Sequence, residues 1–231
     1  MTSQDLIKRL DEALAAFLTA QHAHSDTNAA IAFDRLSRYW AEIPDQVRKD
    51  PSLADKTLIT GLVKICTSLG QWRDRKGIPD LFRKLLKKRR HLVPTALYAT
   101  EWVLAEGNAH QRYHAFELAQ DLGRAFPQII DHKLILGATR AALASFFEDE
   151  HAPPPLPNHG SEVLKTLLGL KPEFDRFARI AIRGAELTAQ EKFNEAGLQA
   201  TKDLRIIISD AIDPEGRPRF QAYAPRPGLL S

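Results

Sequence analysis

The stretch SQDLIKRLDEALAAFLTA, residues Ser3 to Ala20, decides the class of fold. Its apolar side chains recur at steps of three and four residues, a spacing that places them on one face of an α-helix. That apolar face consists of Leu6, Ile7, Leu10, Leu14, Phe17 and Leu18. Serine is a common helix-capping residue, so the sequence predicts an amphipathic helix with Ser3 as its N-cap.

The same spacing recurs along most of the chain, interrupted by proline and glycine. A second helix is predicted over residues 27–42, ending before Pro44, because proline disfavours helical geometry in the residue that precedes it. Helices are also expected after Pro51, from Asp80 and from Pro94. The other predicted helical segments are 109–126, 129–148, 161–170, 173–183 and 188–203. Short connections favour antiparallel neighbours, so the predicted fold is mainly α, with antiparallel helical hairpins forming either a bundle or a short α-solenoid.

A proline-rich segment, HAPPPLPNHG at residues 151–160, interrupts the helical pattern. Consecutive prolines remove backbone donors and fix an extended geometry, which is typical of a linker or a stiff surface loop. The sequence therefore predicts a helical domain over residues 1–150, a linker over 151–160 and a smaller helical region over 161–231.

The C-terminal region changes in character. Residues 204–225, LRIIISDAIDPEGRPRFQAYAP, contain a β-branched run and then a turn sequence with Pro214 and Gly216. Proline suits the second position of a type I turn, and glycine accepts the positive φ that follows it. A small C-terminal β-hairpin is predicted here, followed by a loose tail.

Composition favours an ordinary soluble protein. The apolar share is 44% and the charged share is 26%, and no apolar run approaches the length of about 20 residues that crosses a bilayer. The N-terminal residues mix acids and bases, which argues against a secretory leader. Cys66 is the one cysteine of the sequence, which excludes an intramolecular disulfide. We therefore expect no membrane association and a cytoplasmic location.

Positive charge is concentrated in one segment. The whole chain has a formal net charge of +3. Residues Arg73–His91 contain nine Lys or Arg residues and two acids, Asp74 and Asp80, so this segment has a net charge of +7. The rest of the chain therefore has a net charge of −4. Within that segment, RKLLKKRRHL at residues 83–92 places six cations and no acid between Arg83 and Arg90. The protein is thus predicted to be an acidic-leaning body that carries one basic segment.

The basic segment predicts contact with the backbone of a nucleic acid. Like charges four residues apart, as in Arg83–Lys87 and Lys84–Lys88, repel each other on a helix, and a polyanion would relieve that repulsion. Lysine and arginine clusters supply phosphate contacts, and the indole of Trp72 in the preceding loop is able to stack a base. The expected nucleic-acid-binding residues are Arg73, Arg75 and Lys76 on the loop and Arg83, Lys84, Lys87, Lys88 and Arg90 on the helix.

Two other interpretations remain open for the basic segment. Long basic side chains also solvate the outer face of a packed amphipathic helix. An acidic protein surface would fit the same charges, and the chain would then be a helical-repeat-like interaction scaffold without nucleic-acid binding. No glycine-rich phosphate loop or nucleophile elbow occurs, so we expect a non-enzymatic subunit of a protein or nucleoprotein complex, with DNA or RNA as ligand and no cofactor.

The segment HQRYHAFE contains the one metal-like pattern in the sequence. His110, His114 and Glu117 lie one helical turn apart, a spacing that is able to place two imidazoles and a carboxylate on one face. The zinc-protease pattern requires a glutamate directly after the first histidine, where this chain has Gln111. We therefore expect no metal site here and two half-exposed histidines instead.

Overall fold

A computed structural model describes residues 2–69, 78–145, 156–192 and 194–211 of the chain. These residues are mainly helical, which confirms the predicted class. They form ten α-helices: α1 (Ser3–His22), α2 (Asp26–Lys49), α3 (Lys56–Ser68), α4 (Ile78–Lys88), α5 (Val93–Glu106), α6 (Ala109–Ala125), α7 (His132–Ser145), α8 (Leu156–Leu170), α9 (Asp175–Glu191) and α10 (Glu195–Ala211).

The chain divides into two compact units, Met1–Val103 and Leu104–Ser231. In the first unit α1 packs against α2 and α3, and α2 packs against α4. In the second unit α8 packs against α6, α7 and α10, and α9 packs against α7 and α10. The packing within each unit fits a helical bundle.

Local capping explains how the first unit begins. The N-cap of α1 is Thr2, one residue before the predicted Ser3, and it forms a capping box with Asp5. Ser3 instead donates a hydrogen bond from Oγ to Oδ2 of Asp55, over 2.6 Å. The other carboxylate oxygen of Asp55 accepts from the backbone N–H of Leu58 over 2.8 Å and so caps α3. One carboxylate therefore joins the starts of α1 and α3.

Helix α2 is longer than the sequence predicted, because it continues through Pro44 to Lys49. A proline in a helix interior removes one hydrogen bond and costs about 3 kcal/mol. Burial on both sides of the proline offsets that cost, since Ile43 and Val47 are 2% and 4% exposed. They continue a face whose buried residues are Ala29, Phe33, Leu36, Trp40, Ile43 and Val47. Tertiary packing thus holds the last turn of α2 in helical form.

The division at Val103 differs from the domain boundary predicted at residues 151–160. Residues 151–155 lie outside the described residues, and residues 156–160 form the start of α8. A Cβ on Gly160 would lie 3.0 Å from Cζ of Phe116 in α6 and 3.4 Å from Cα of Ala142 in α7. The helices on either side of the proline-rich segment therefore pack closely together in one unit. A run of prolines marks a break in the chain and does not report whether the flanking helices pack together.

The predicted C-terminal β-hairpin is not supported, and no strand occurs in the described ranges. The β-branched run Ile206–Ile208, expected to form its first strand, lies within α10. Leu204 and Ile208, four residues apart, are fully buried, whereas Ile206 is 61% exposed. This is helical periodicity, and packing of α10 against α8 and α9 outweighs the weak strand preference of β-branched residues. The predicted turn and second strand, residues 213–225, lie outside the described residues.

Candidate functional site

Helix α4 separates its apolar and basic side chains onto opposite faces. Its buried residues are Ile78, Phe82, Leu85 and Leu86. Lys84, Lys87 and Lys88 are exposed, and Arg90 is exposed in the 3₁₀ turn that follows the helix. Asp80 lies in the first turn and Lys87 and Lys88 in the last, an order that the helix dipole favours. The helix thus carries a compact basic face that remains open to solvent.

Few carboxylates from the described residues lie near this basic face. Arg83 forms an ion pair with Asp80, one turn earlier on the same helix. Among the described residues, no carboxylate lies within ion-pair distance of Lys84, Lys87, Lys88 or Arg90. The repulsion between Lys84 and Lys88 is therefore not relieved by an acid in that part of the chain.

The arginines of α9 show the contrasting arrangement. Arg179 lies 2.5 Å from Asp175, and Arg183 lies 2.7 Å from Glu186. Glu186 also accepts a hydrogen bond from Arg205 of α10 over 2.8 Å. The guanidinium of Arg176 lies 4.8 Å from the ring centre of Phe177. The arginines of α9 are thus engaged by their own unit, whereas the lysines of α4 have no ion-pair partner among the residues that the structure describes.

A groove runs between α4 and the last turns of α2. It has a volume of about 450 Å³ and is lined by Pro44, Asp45, Val47, Arg48, Leu81, Lys84, Leu85, Lys88 and Arg89. Its buried lining residues, Val47 and Leu85, are apolar. Its charged lining consists of four cations and one carboxylate, a formal net of +3. That carboxylate, on Asp45, is already paired with Arg48 at 3.0 Å.

Sequence reasoning missed two residues of this groove, Arg48 and Arg89. Arg48 was missed because α2 was expected to end before Pro44, although the three- and four-residue spacing that joins Trp40, Ile43 and Val47 was a signal that the helix continues. Arg89 was left out of the predicted binding residues because helical spacing, four residues after Leu85, puts it on the apolar face of α4. In the structure α4 ends at Lys88 and the backbone of Arg89 is not helical. Its side chain therefore does not follow the helical periodicity.

The loop residues of the predicted site lie outside the described residues. These are Arg73, Arg75 and Lys76, together with the neighbouring Trp72. Of the eight predicted binding residues, the structure brings Arg83, Lys84, Lys87, Lys88 and Arg90 together on α4 and the turn that follows it.

His114 of α6 contacts Glu117, His110 and Tyr113 within its own helix. His114 is buried, with only 4% exposed, and its Nδ1 lies 2.8 Å from Oε2 of Glu117. The rings of His110 and His114 pack edge to face, with 4.8 Å between their centres. The rings of Tyr113 and His159 stack, with 4.3 Å between their centres. Within the described ranges, no group of three or more His, Cys, Asp or Glu side chains is placed to hold a metal ion. The expectation of two half-exposed histidines was wrong for His114, because that side of α6 faces the core.

Partial burial, and then repulsion from His114, lowers the pKa of His110 below its ordinary value of 6.5. In the unfolded chain His110 takes up a proton at a higher pH than in the folded protein, so stability is lost as pH falls below about 6.5. We expect His110→Gln to reduce the fall in melting temperature between pH 7.5 and pH 5.5, measured by circular dichroism. An unchanged pH dependence in the variant would contradict this prediction.

No helix among the described residues combines the length and the apolarity that crossing a membrane requires. Comparison of the chain with protein-family models, with curated proteins and with solved structures found no match.

Proposed function

We propose that the protein is a non-enzymatic helical accessory subunit that holds the backbone of a nucleic acid against the basic face of α4, within a larger cytoplasmic assembly. The proposal is based on the exposed cations of α4 and the turn that follows it. Lys84, Lys87, Lys88 and Arg90 are exposed together and have no carboxylate partner among the described residues. Arg48 and Arg89 add two further cations beside them in the adjoining groove.

The mechanism is electrostatic. Each lysine or arginine that contacts a phosphate releases condensed counterions from the nucleic acid, and this release drives binding. Bound phosphates also reduce the repulsion between Lys84 and Lys88, four residues apart on the helix. The proposal includes Arg73, Arg75 and Lys76, which adjoin α4 in the sequence and extend the same positive segment.

Little sequence specificity is expected from such a surface. Phosphate contacts fix the position of a nucleic acid but carry no direct information on its bases. The cations of the basic face serve equally well for DNA and for RNA, so we expect both to bind with similar affinity under the same salt conditions.

An acidic protein segment is the second candidate partner. The groove between α2 and α4 combines cations with the apolar side chains of Val47 and Leu85, and this combination would also fit an acidic peptide with an apolar anchor. In that case the chain is an interaction scaffold, and the basic face recognises carboxylates instead of phosphates.

A salt titration of the wild-type protein tests the proposed function. We expect fluorescein-labelled 20-nucleotide probes to bind with a slope of log K against log salt of roughly −3 to −5, as four to six phosphate contacts would give. The measurement is fluorescence anisotropy between 50 and 200 mM NaCl. Absence of binding to every probe at 50 mM NaCl would contradict the proposal and favour the acidic protein partner.

A further inference from the structure

Two exposed aromatic side chains follow the basic face along the chain. Tyr98 is 67% exposed and Trp102 is 59% exposed, and both lie on α5. They are four positions apart in the sequence, so they are neighbours on one side of the helix. Large aromatic side chains normally contribute buried area, and their joint exposure marks a surface that meets a partner.

Neither aromatic side chain is engaged by the described part of the chain. The Tyr98 hydroxyl has no hydrogen bond there, and neither ring contacts another aromatic ring or a cation. By contrast, Trp40 in the same unit is only 2% exposed. The faces of the Tyr98 and Trp102 rings therefore remain available for stacking.

The position of the pair relative to the basic face indicates the kind of partner. Helix α4 ends at Lys88, Arg90 and His91 lie in the 3₁₀ turn, and α5 begins at Val93. From the helical rise, Tyr98 lies about 8 Å along α5 from its first residue, Val93. Arg90 and His91 are exposed, as the two aromatics are. Proteins that bind single-stranded nucleic acid combine cations, which contact the backbone, with aromatic side chains, on which the bases stack. The cations of α4 and the two aromatics of α5 are the same combination of side chains.

We infer that Tyr98 and Trp102 stack unpaired bases, so that this surface takes single-stranded nucleic acid in preference to a duplex. This inference rests on the proposed function, because phosphates of the same strand occupy the basic face of α4. A duplex keeps its bases stacked within the helix and is able to use only the basic face. The aromatic pair thus adds affinity for one class of ligand and leaves the other unchanged.

The test compares a single-stranded 20-nucleotide probe with the matching duplex. We expect Tyr98→Ala/Trp102→Ala to weaken single-strand binding by on the order of 10- to 100-fold, the range for loss of base stacking, with duplex binding unchanged. The single strand should also quench the tryptophan fluorescence of the wild-type protein more than that of Trp102→Leu. Ile31→Ala/Ile180→Ala is the matched control, because both side chains are 63% exposed and lie on other helices.

The possible outcomes distinguish a failure of the inference about Tyr98 and Trp102 from a failure of the proposed function. Wild-type affinity of the aromatic double variant for the single strand overturns the inference and leaves the proposed function intact. Absence of binding by the wild-type protein to either probe overturns both. A wild-type dimer in sedimentation velocity that the double variant converts to a monomer assigns the aromatic pair to contact with a second copy and overturns the inference.

Discussion

Replacement of Lys84, Lys87 and Lys88 by glutamate is expected to weaken binding of single- and double-stranded probes by on the order of 100- to 1,000-fold at 50 mM salt. Three phosphates lose their positive partners, and three carboxylates repel the strand in their place. The formal net charge of the chain falls from +3 to −3. Anisotropy titrations at 50 and 200 mM NaCl measure the loss, and the magnitude of the salt slope should fall by about 2 to 3, because three phosphate contacts are lost.

Stability is expected to fall only slightly with the same three substitutions, the cost coming from two carboxylates in the last turn of α4, where the helix dipole favours cations. The lysines are exposed and have no ion pair among the described residues, so their replacement breaks no native contact in that part of the chain. Exposed substitutions of this kind change the free energy of unfolding by about 0.5 kcal/mol or less per site. Urea unfolding of wild type and variant separates loss of binding from loss of folding.

Arg176→Glu/Arg179→Glu/Arg183→Glu on α9 is the matched control. It changes the net charge by the same amount, but these arginines are engaged by Phe177, Asp175 and Glu186. We expect it to weaken probe binding by less than about 10-fold, since only the general field of the protein changes. Equal losses of affinity in the two triple variants would show that net charge alone governs binding and would contradict a site on α4.

The composition of the basic face was predictable from sequence, but the lack of nearby carboxylates in the described part of the chain was not. The helical period separates Leu85 from Lys84 and Lys88, and this separation follows from sequence alone. Ion pairing depends on which distant elements meet. Arg9 and Glu42, for example, lie 3.5 Å apart although they are 33 positions apart in the sequence. Only the packed structure shows that no such carboxylate from the described residues reaches Lys84, Lys87 or Lys88.

Two errors of the sequence analysis, at Pro44 and at Ile206–Ile208, share one physical cause. Pro44 favours the end of a helix and Ile206–Ile208 favours a strand, yet both lie within helices in the structure. In each case the buried side chains of the surrounding turns stabilise the helix by more than the local preference opposes it. Local propensities amount to about 1 kcal/mol per residue, apart from proline, whereas each buried Leu or Ile contributes about 1.5–3 kcal/mol.

Phe82→Ala is expected to lower the free energy of unfolding of the unit formed by residues 1–103 by about 3–5 kcal/mol. Phe82 is 1% exposed and holds α4 against its neighbours. The space that it lines together with Trp40 of α2 and Leu62 of α3 has a volume of only about 10 Å³. Because the packing around Phe82 leaves so little space, we expect the substitution to open a cavity and to lose most of the contacts that Phe82 makes.

The effect of Phe82→Ala reaches the basic face because α4 is only 11 residues long. An isolated helix of that length is marginal in water, so α4 depends on packing through Phe82, Leu85 and Leu86 for its stability. We expect hydrogen exchange of the α4 amides to accelerate more than that of α1, and probe binding to weaken at temperatures where the rest of the unit remains folded. Phe82→Leu, which retains most of the apolar volume, should cost about 1.5 kcal/mol or less.

Probe binding should in turn stabilise the weakened helix. A ligand that binds only the folded form adds about 2.7 kcal/mol of stability at 100 times its dissociation constant. A single-stranded probe at that concentration is therefore expected to restore much of the amide protection that α4 loses in Phe82→Ala. The probe should have no such effect when Lys84, Lys87 and Lys88 are also replaced by glutamate. A ligand held by Lys84, Lys87 and Lys88 has to favour the folded form of the helix that carries them. If the probe does not change the amide protection of α4 in Phe82→Ala, the strand therefore binds elsewhere.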